Sequence, residues 1–244
     1  MQKNAVSIAE PAIGRYEKKL VLTEGIPDYL KENYWWAYLN PKSMRFFEQQ
    51  WVINSILWGN YARLRDATLE ELGTPISGRT LQVACVYGNL TPQLAQRHSA
   101  DARLDVVDVA PVQLENLSKK LNGSNVNLEC HDAARLKFDD SSFDQVLMFF
   151  LLHELPAEVR KSAATEALRV LKPGGKLIFV DYHRPEWLHP HRYLMPLIFK
   201  ALEPFAMGMW KTDITDFIST DISLCSVERK TYFGGLYQKV VIKK

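Results

Sequence analysis

Long apolar runs are missing from this sequence. The longest uninterrupted stretch is Val146 to Leu152, far short of the ~20 residues that span a bilayer. Cysteine is scarce: Cys85, Cys130 and Cys225 are widely spaced, which excludes a disulfide framework or a zinc-site spacing and favours a reducing compartment. An excess of either charge is also absent. Lys plus Arg is 30 and Asp plus Glu is 28, a net charge of +2, so nothing broad attracts nucleic acid. The opening segment MQKNAVSIAEPAIGRYEKK lacks an apolar signal core and is not arginine-rich. Neither a secretory signal nor a transit peptide is expected, which suits a bacterial cytosol or a mature chain already trimmed. What remains, 47% apolar and 24% charged over 244 residues, excludes a disordered chain and allows one large domain, or one domain with a cap.

No repeats or low-complexity tracts interrupt the chain. Residues 1–75 are aromatic-rich and read as a helical cap. Residues 76–244 read as one domain with an apolar insertion at about 184–212. Within it, TLQVACV (80–86), RLDVVDV (103–109), NVNLECHD (125–132), FDQVLMFFLL (143–152) and KLIFVDY (176–182) are strand candidates. The continuous apolarity of the fourth suits a parallel strand buried on both faces. Helical patterns lie between them: one opening near Asn89, Thr91 and Pro92, one carrying Leu114, Leu117 and Leu121, and one over 156–171, opened by Pro156 and closed by Lys172-Pro173-Gly174-Gly175. This alternation predicts a doubly wound parallel sheet with its ligand beyond the carboxyl ends of the strands. TYFGGLYQKVVIKK adds a last strand, read as antiparallel, with Gly234 and Gly235 marking a bulge or a close backbone approach.

Those strand ends carry polar residues. Asp108 can accept both hydroxyls of a ribose or cap a helix. Asp132 can accept from an adenine amino group or form an Asx turn. The turn after the first strand departs from the usual pattern. Glycines there normally let a backbone approach a nucleotide, but QVACVYG keeps only Gly88. Gln82 stands where an acid is common, and Ala84 and Val86 add side chains where closeness is wanted.

ACVYG, Asp108, HDA, SSFDQVLMFFLLHELP and EALRVLKPGGKLIFVDYHRP resemble, in that order, the motifs of class I S-adenosylmethionine-dependent methyltransferases. Over nearly the whole chain, YWWAYLNP, QWVINSILWGNYARLRD, QVACVYGNLT, FFLLHE, VDYHRP, LEPFA and TYFGGLYQKVV resemble the rhodoquinone biosynthesis family. The resemblance implies an α/β, Rossmann-like class I methyltransferase fold: a mostly parallel seven-stranded sheet with helices on both faces, plus an N-terminal helical cap. It implies conversion of ubiquinone to rhodoquinone, in which an amino group donated by S-adenosylmethionine replaces a ring methoxy group with the help of manganese(II), Mn2+. Cofactor contacts are then expected at Gln82, Ala84, Val86, Tyr87, Gly88, Asp108, Val109, Asp132, Ala133 and Phe149. The implied location is peripheral, on the cytoplasmic side of the bacterial inner membrane, or mitochondrial for a processed eukaryotic chain. An ordinary methyltransferase acting on a quinone or other lipid-like acceptor is the alternative.

Replacing methoxy by an amine needs help at the quinone oxygen and a base for the amine proton. Carboxylate and imidazole suit manganese, and His153, Glu154, Asp181 and His183 stand at the ends of two neighbouring strands. They form the expected metal or acid–base group, with Tyr182 and Tyr87 as candidates for orienting the quinone carbonyl. The same residues also have plain readings: His153 facing a metal-free crevice, Glu154 complementing a helix dipole, Asp181 capping a turn. His189 and His191 are further possible ligands or solvated loop residues. A helix over 43–60, apolar around most of its circumference, follows Tyr34, Trp35, Trp36 and Tyr38. Together with 192–210 it reads either as core or as a surface that touches lipid.

Overall fold

The computed structural model describes residues 25–121, 126–218 and 224–244. The start of the expected cap, 1–24, and Asn125 at the head of the third strand candidate lie outside them. Five strands run parallel: β1 (Arg79–Val83), β2 (Arg103–Asp108), β3 (Val126–Cys130), β4 (Phe143–Phe149) and β5 (Leu171–Tyr182). β6 (Ser226–Tyr232) and β7 (Tyr237–Lys243) form an antiparallel hairpin, and β7 pairs antiparallel with β5. The spatial order is β3-β2-β1-β4-β5-β7-β6. This is the expected α/β Rossmann-like methyltransferase fold. Its central strands are buried along their length, from Val146 to Phe149 and from Leu177 to Val180, which accounts for their continuous apolarity.

The helices are α1 (Asp28–Tyr34), α2 (Pro41–Phe47), α3 (Gln50–Ile56), α4 (Tyr61–Leu72), α5 (Leu90–Arg97), α6 (Pro111–Ser118), α7 (Ala157–Val170), α8 (His191–Leu202) and the short α9 (Gly208–Lys211). A π-helical turn, Trp35–Leu39, joins α1 to α2. Ile26, Leu30, Tyr34 and Leu39 pack with Ala110 and Phe205, which sets the N-terminal helices over the carboxyl end of β2.

Four boundaries differ from the pattern. β1 stops at Val83, because Ala84 turns the chain with φ 73°. β4 stops at Phe149, because Phe150 turns it with φ 53° into a 3-10 segment, Leu152–Glu154. The ladder to β4 already resumes at Leu171, with its register shifted between Phe143 and Gln145, so the Pro-Gly-Gly stretch lies inside β5. The single helix expected over 43–60 is two helices. Between them the Glu48 carboxylate reaches away to Lys120 and Asn116, both at 2.7 Å, and Gln49 is extended. Gly234 and Gly235 form the β6–β7 turn with positive φ, and a side chain on Gly234 would collide with the His189 ring.

Candidate active site

Beyond the carboxyl ends of β1, β2 and β4 lies a cavity of about 510 Å³. Ala84, Val86, Tyr87, Asp108, Val109, Asp132, Ala133 and Phe149 line one side. Asp108 accepts the Cys85 and Ala110 N–H groups, both at 2.8 Å. Burial nevertheless pushes its pKa up to about 6. Asp132 accepts the Ala134 N–H at 2.9 Å and still faces the cavity, so its Asx turn and its exposure to a ligand coexist.

Gln82 and Gly88 stand behind this wall. The buried Gln82 amide donates to Ala84 O at 3.0 Å and accepts the Thr91 hydroxyl at 2.9 Å, clamping the turn. At Gly88 the constraint is Tyr61. The Tyr61 hydroxyl accepts the N–H groups of Asn89 and Leu90 at 3.0 Å, capping α5 where the Asn89 side chain does not. A Cβ on Gly88 would lie 2.6 Å from that oxygen. The one glycine left in the turn thus makes room for a tyrosine.

The other side is a buried polar group. His153 Nδ1 lies 2.9 Å from Asp181 Oδ1, and Asp181 also accepts the backbone N–H groups of His153 and Tyr182. His153 Nε2 faces Glu154 at 3.8 Å and Glu203 at 3.7 Å. Tyr38 donates to Glu154. Buried Arg160 donates to the carbonyls of Leu152, Leu155 and Phe205, fixing the 3-10 segment that presents His153 and Glu154. Burial opposes the charge on His153, but Asp181, Glu203 and Glu154 outweigh it, and its pKa is pushed up to about 9. Burial raises both Glu154 and Glu203, against the pull of His153. Two carboxyls and one imidazole can therefore exchange a proton near neutral pH. The Phe150 ring stands edge-on to His153 and Tyr182, with centroids 5.9 and 5.6 Å away, giving this end flat aromatic walls.

His153, Glu154 and Tyr182 line the cavity, and Asp181 stands behind His153. His183 is elsewhere: its Nδ1 faces Gly235 O at 2.8 Å, beside a separate small cleft with Trp210 and Gln238. His189 and His191 pack against Phe233. The four residues expected to hold manganese are thus divided, and the Asp181 oxygens are taken by His153 and Tyr182. Among the described residues no group of three His, Cys, Asp or Glu side chains is arranged to hold a metal ion. The donor set does not fit manganese.

This order of strands, with a nucleotide-type crevice at the ends of β1 and β2, agrees with the sequence comparison. Residues 80–175 match the methyltransferase domain family. The fold is that of the class I methyltransferases. Two curated relatives are 29% identical to the chain. The ubiquinone/menaquinone biosynthesis C-methyltransferase UbiE of Idiomarina loihiensis matches over 53% of this chain and 50% of its own length. The demethylmenaquinone methyltransferase of Staphylococcus aureus matches over 62% of each. The chain thus spans only half to three-fifths of these relatives. Solved structures share the fold at low identity. An O-methyltransferase family protein of Burkholderia thailandensis superposes with TM-score 0.61 and 15% identity, over 95% of this chain and 69% of its own. The N-methyltransferase NodS of Bradyrhizobium japonicum superposes with TM-score 0.54 and 16% identity, over 75% and 96%.

The polar cavity residues Tyr38, expected only before a lipid-facing helix, and Glu203 lie outside the expected site residues. Tyr38 meets Glu154 across 116 positions of sequence. Glu203 follows α8 in LEPFA, and its Oε2 is buried 3.7 Å from His153 Nε2, with the buried Tyr34 hydroxyl beside the carboxyl. A carboxylate inside an otherwise apolar stretch was the available signal.

Proposed function

We propose that this chain transfers a group from S-adenosylmethionine to a lipid-tailed benzoquinone, and that it replaces a ring methoxy group of ubiquinone with an amino group. The observation that carries this reading is the turn after β1. Ala84, at φ 73°, and Val86 put side chains into the wall where glycine would leave room. They crowd the methionine half of a donor whose ribose sits on Asp108, and this turns its amino nitrogen toward the acceptor.

The ring carbon bearing methoxy is electrophilic, because the neighbouring carbonyl takes up the electron pair. The donor's amino nitrogen adds there: a C–N bond forms, the ring C–O bond breaks, and methoxide leaves. Loss of the donor's α-proton then passes two electrons into the ring and turns the nitrogen into an imine of the donor; water hydrolyses that imine, which breaks the donor C–N bond and frees an aminohydroquinone and the donor's 2-oxo acid. The amine proton passes to the Glu154–Glu203–His153 group, which returns it to the departing oxygen as methanol. Asp181 holds the imidazole in the orientation this requires, as carboxylates do for catalytic histidines. Phe150 and Tyr182 provide flat surfaces for the ring.

The names of the curated relatives favour a second reading, methyl transfer to a quinone ring carbon. Incubating the purified chain with ubiquinone and S-adenosylmethionine labelled separately at methyl and amino nitrogen divides the two. Nitrogen label in a quinone that has lost one methoxy group supports amination. Methyl label in the quinone, with S-adenosylhomocysteine released, supports the second reading and overturns the first.

A further inference from the structure

We infer that the mouth of the cavity is a docking surface for an anionic lipid bilayer, which deepens the proposed reading by naming the partner that hands in a lipid-tailed acceptor. The apolar surface does not stop at the cavity wall. Trp36, Ile56, Trp58 and Leu202 line the cavity and are exposed at the same time. On one lip the rings continue from Trp36 through Phe47 and Phe46 to Trp51, with centroids 5.7, 5.4 and 5.9 Å apart. Phe46 and Trp51 are 51% and 63% exposed. On the other lip Trp187, Leu188, Tyr193 and Leu197 are 67%, 73%, 67% and 67% exposed. The Trp58 and His191 rings meet at 4.2 Å and join the two lips. So much contiguous apolar surface marks an interaction site.

Charge selects the occupant. α2, α3 and α8 carry Lys42, Arg45, Arg192 and Lys200 and not one acidic residue. A second copy bound face to face would set these cations against each other. An anionic bilayer satisfies both features: the cations meet headgroup phosphates, and the tryptophan and tyrosine rings take the zone between headgroup and acyl chain. Among the described residues no helix is long and apolar enough to cross a membrane, and these short helices suit lying in the surface plane. The acyl layer then meets the cavity wall directly, so a polyprenyl tail stays in lipid while its ring reaches His153.

The test is flotation of the full chain with phosphatidylcholine vesicles, with and without phosphatidylglycerol. Binding is expected to the anionic vesicles, to weaken with added salt, and to shift tryptophan emission to shorter wavelength. Replacing Lys42 and Arg45 with Gln should weaken it about fivefold per residue. The Phe46→Ser/Trp51→Ser variant should weaken it further while unfolding as the parent does. Three results would each overturn the inference: no vesicle binding, equal binding by both variants, or a stable dimer that buries Trp51 and Trp187 and ignores vesicles. Turnover of a short-tailed quinone in detergent is measured alongside. Vesicle binding without product refutes the proposed reaction and leaves the docking surface standing; product without vesicle binding refutes the docking surface alone.

Discussion

Replacing Ala84 with glycine isolates the residue on which the proposed donor geometry depends. Ala84 sits at φ 73°, where a Cβ costs about 1–2 kcal/mol relative to the right-handed region. Glycine removes that strain but adds about 0.4–1 kcal/mol of backbone freedom to the unfolded chain. The strain is the larger quantity, so Ala84→Gly should be the more stable protein by about 0.5–1 kcal/mol, or roughly 2 °C in melting temperature for a chain of this size. Its neighbours need not move, because Ala84 hydrogen-bonds through its backbone: its N–H donates to Val107 O and its carbonyl accepts from Gln82. Guanidinium unfolding measures the stability. Calorimetry with S-adenosylmethionine should find tighter binding, and nitrogen-labelled turnover should fall, most of all when Val86→Gly is added. A variant less stable by 1 kcal/mol or more would refute the strain. Unchanged amino transfer in the double variant would refute the crowding.

Under the proposed reading Asp108, with a pKa near 6 in the free protein, accepts ribose hydroxyls as a carboxylate. Cofactor affinity should be flat above about pH 7 and fall toward tenfold per unit below 6, and a flat dissociation constant down to pH 5 would remove Asp108 from the ribose site. The raised pKa of His153 stabilises the fold fully below its ordinary 6.5, and that contribution is lost as pH rises through about 9. The raised carboxyls of Glu154 and Glu203 act in the same direction, so denaturant midpoints should decline from neutral to alkaline pH. Asp181→Asn removes the largest of the charges that keep His153 protonated, so the imidazole pKa should fall and about 3 kcal/mol of stability is lost. Unchanged alkaline behaviour in that variant would dissociate His153 from Asp181. Tyr38→Phe leaves the buried Glu154 short of a donor and should cost about 1–2 kcal/mol, with a kcat loss larger than any change in KM.

The parts of the fold legible in sequence are those written locally. Apolar runs such as Val146–Phe149 and the Pro156 opening of α7 report on burial and backbone geometry within a few residues. What escaped was set at a distance. Glu48 divides a helix that is apolar around most of its circumference because Asn116 and Lys120, on and just after α6, draw it away. Gly88 stands where a nucleotide loop has glycine, yet it yields space to Tyr61, 27 positions earlier. His183 lies two residues from Asp181 but points the other way, since alternate residues of a strand face opposite sides only while the strand lasts, and β5 ends at Tyr182. Glu203 and Tyr38 join His153 only once α8 and the N-terminal helices have closed over the sheet.

The placement of β7 has a consequence for how the protein is made. A ribosome delivers β6 before β7, but the position beside β5 belongs to β7, and β6 can join only outside it. Until Tyr237–Lys243 has emerged, the apolar flank of β5 from Leu177 to Val180 stands open on a nascent chain. Unpaired edges of this kind recruit other strands. Synthesis stalled or truncated ahead of β7 should therefore yield a chain that binds chaperones or aggregates.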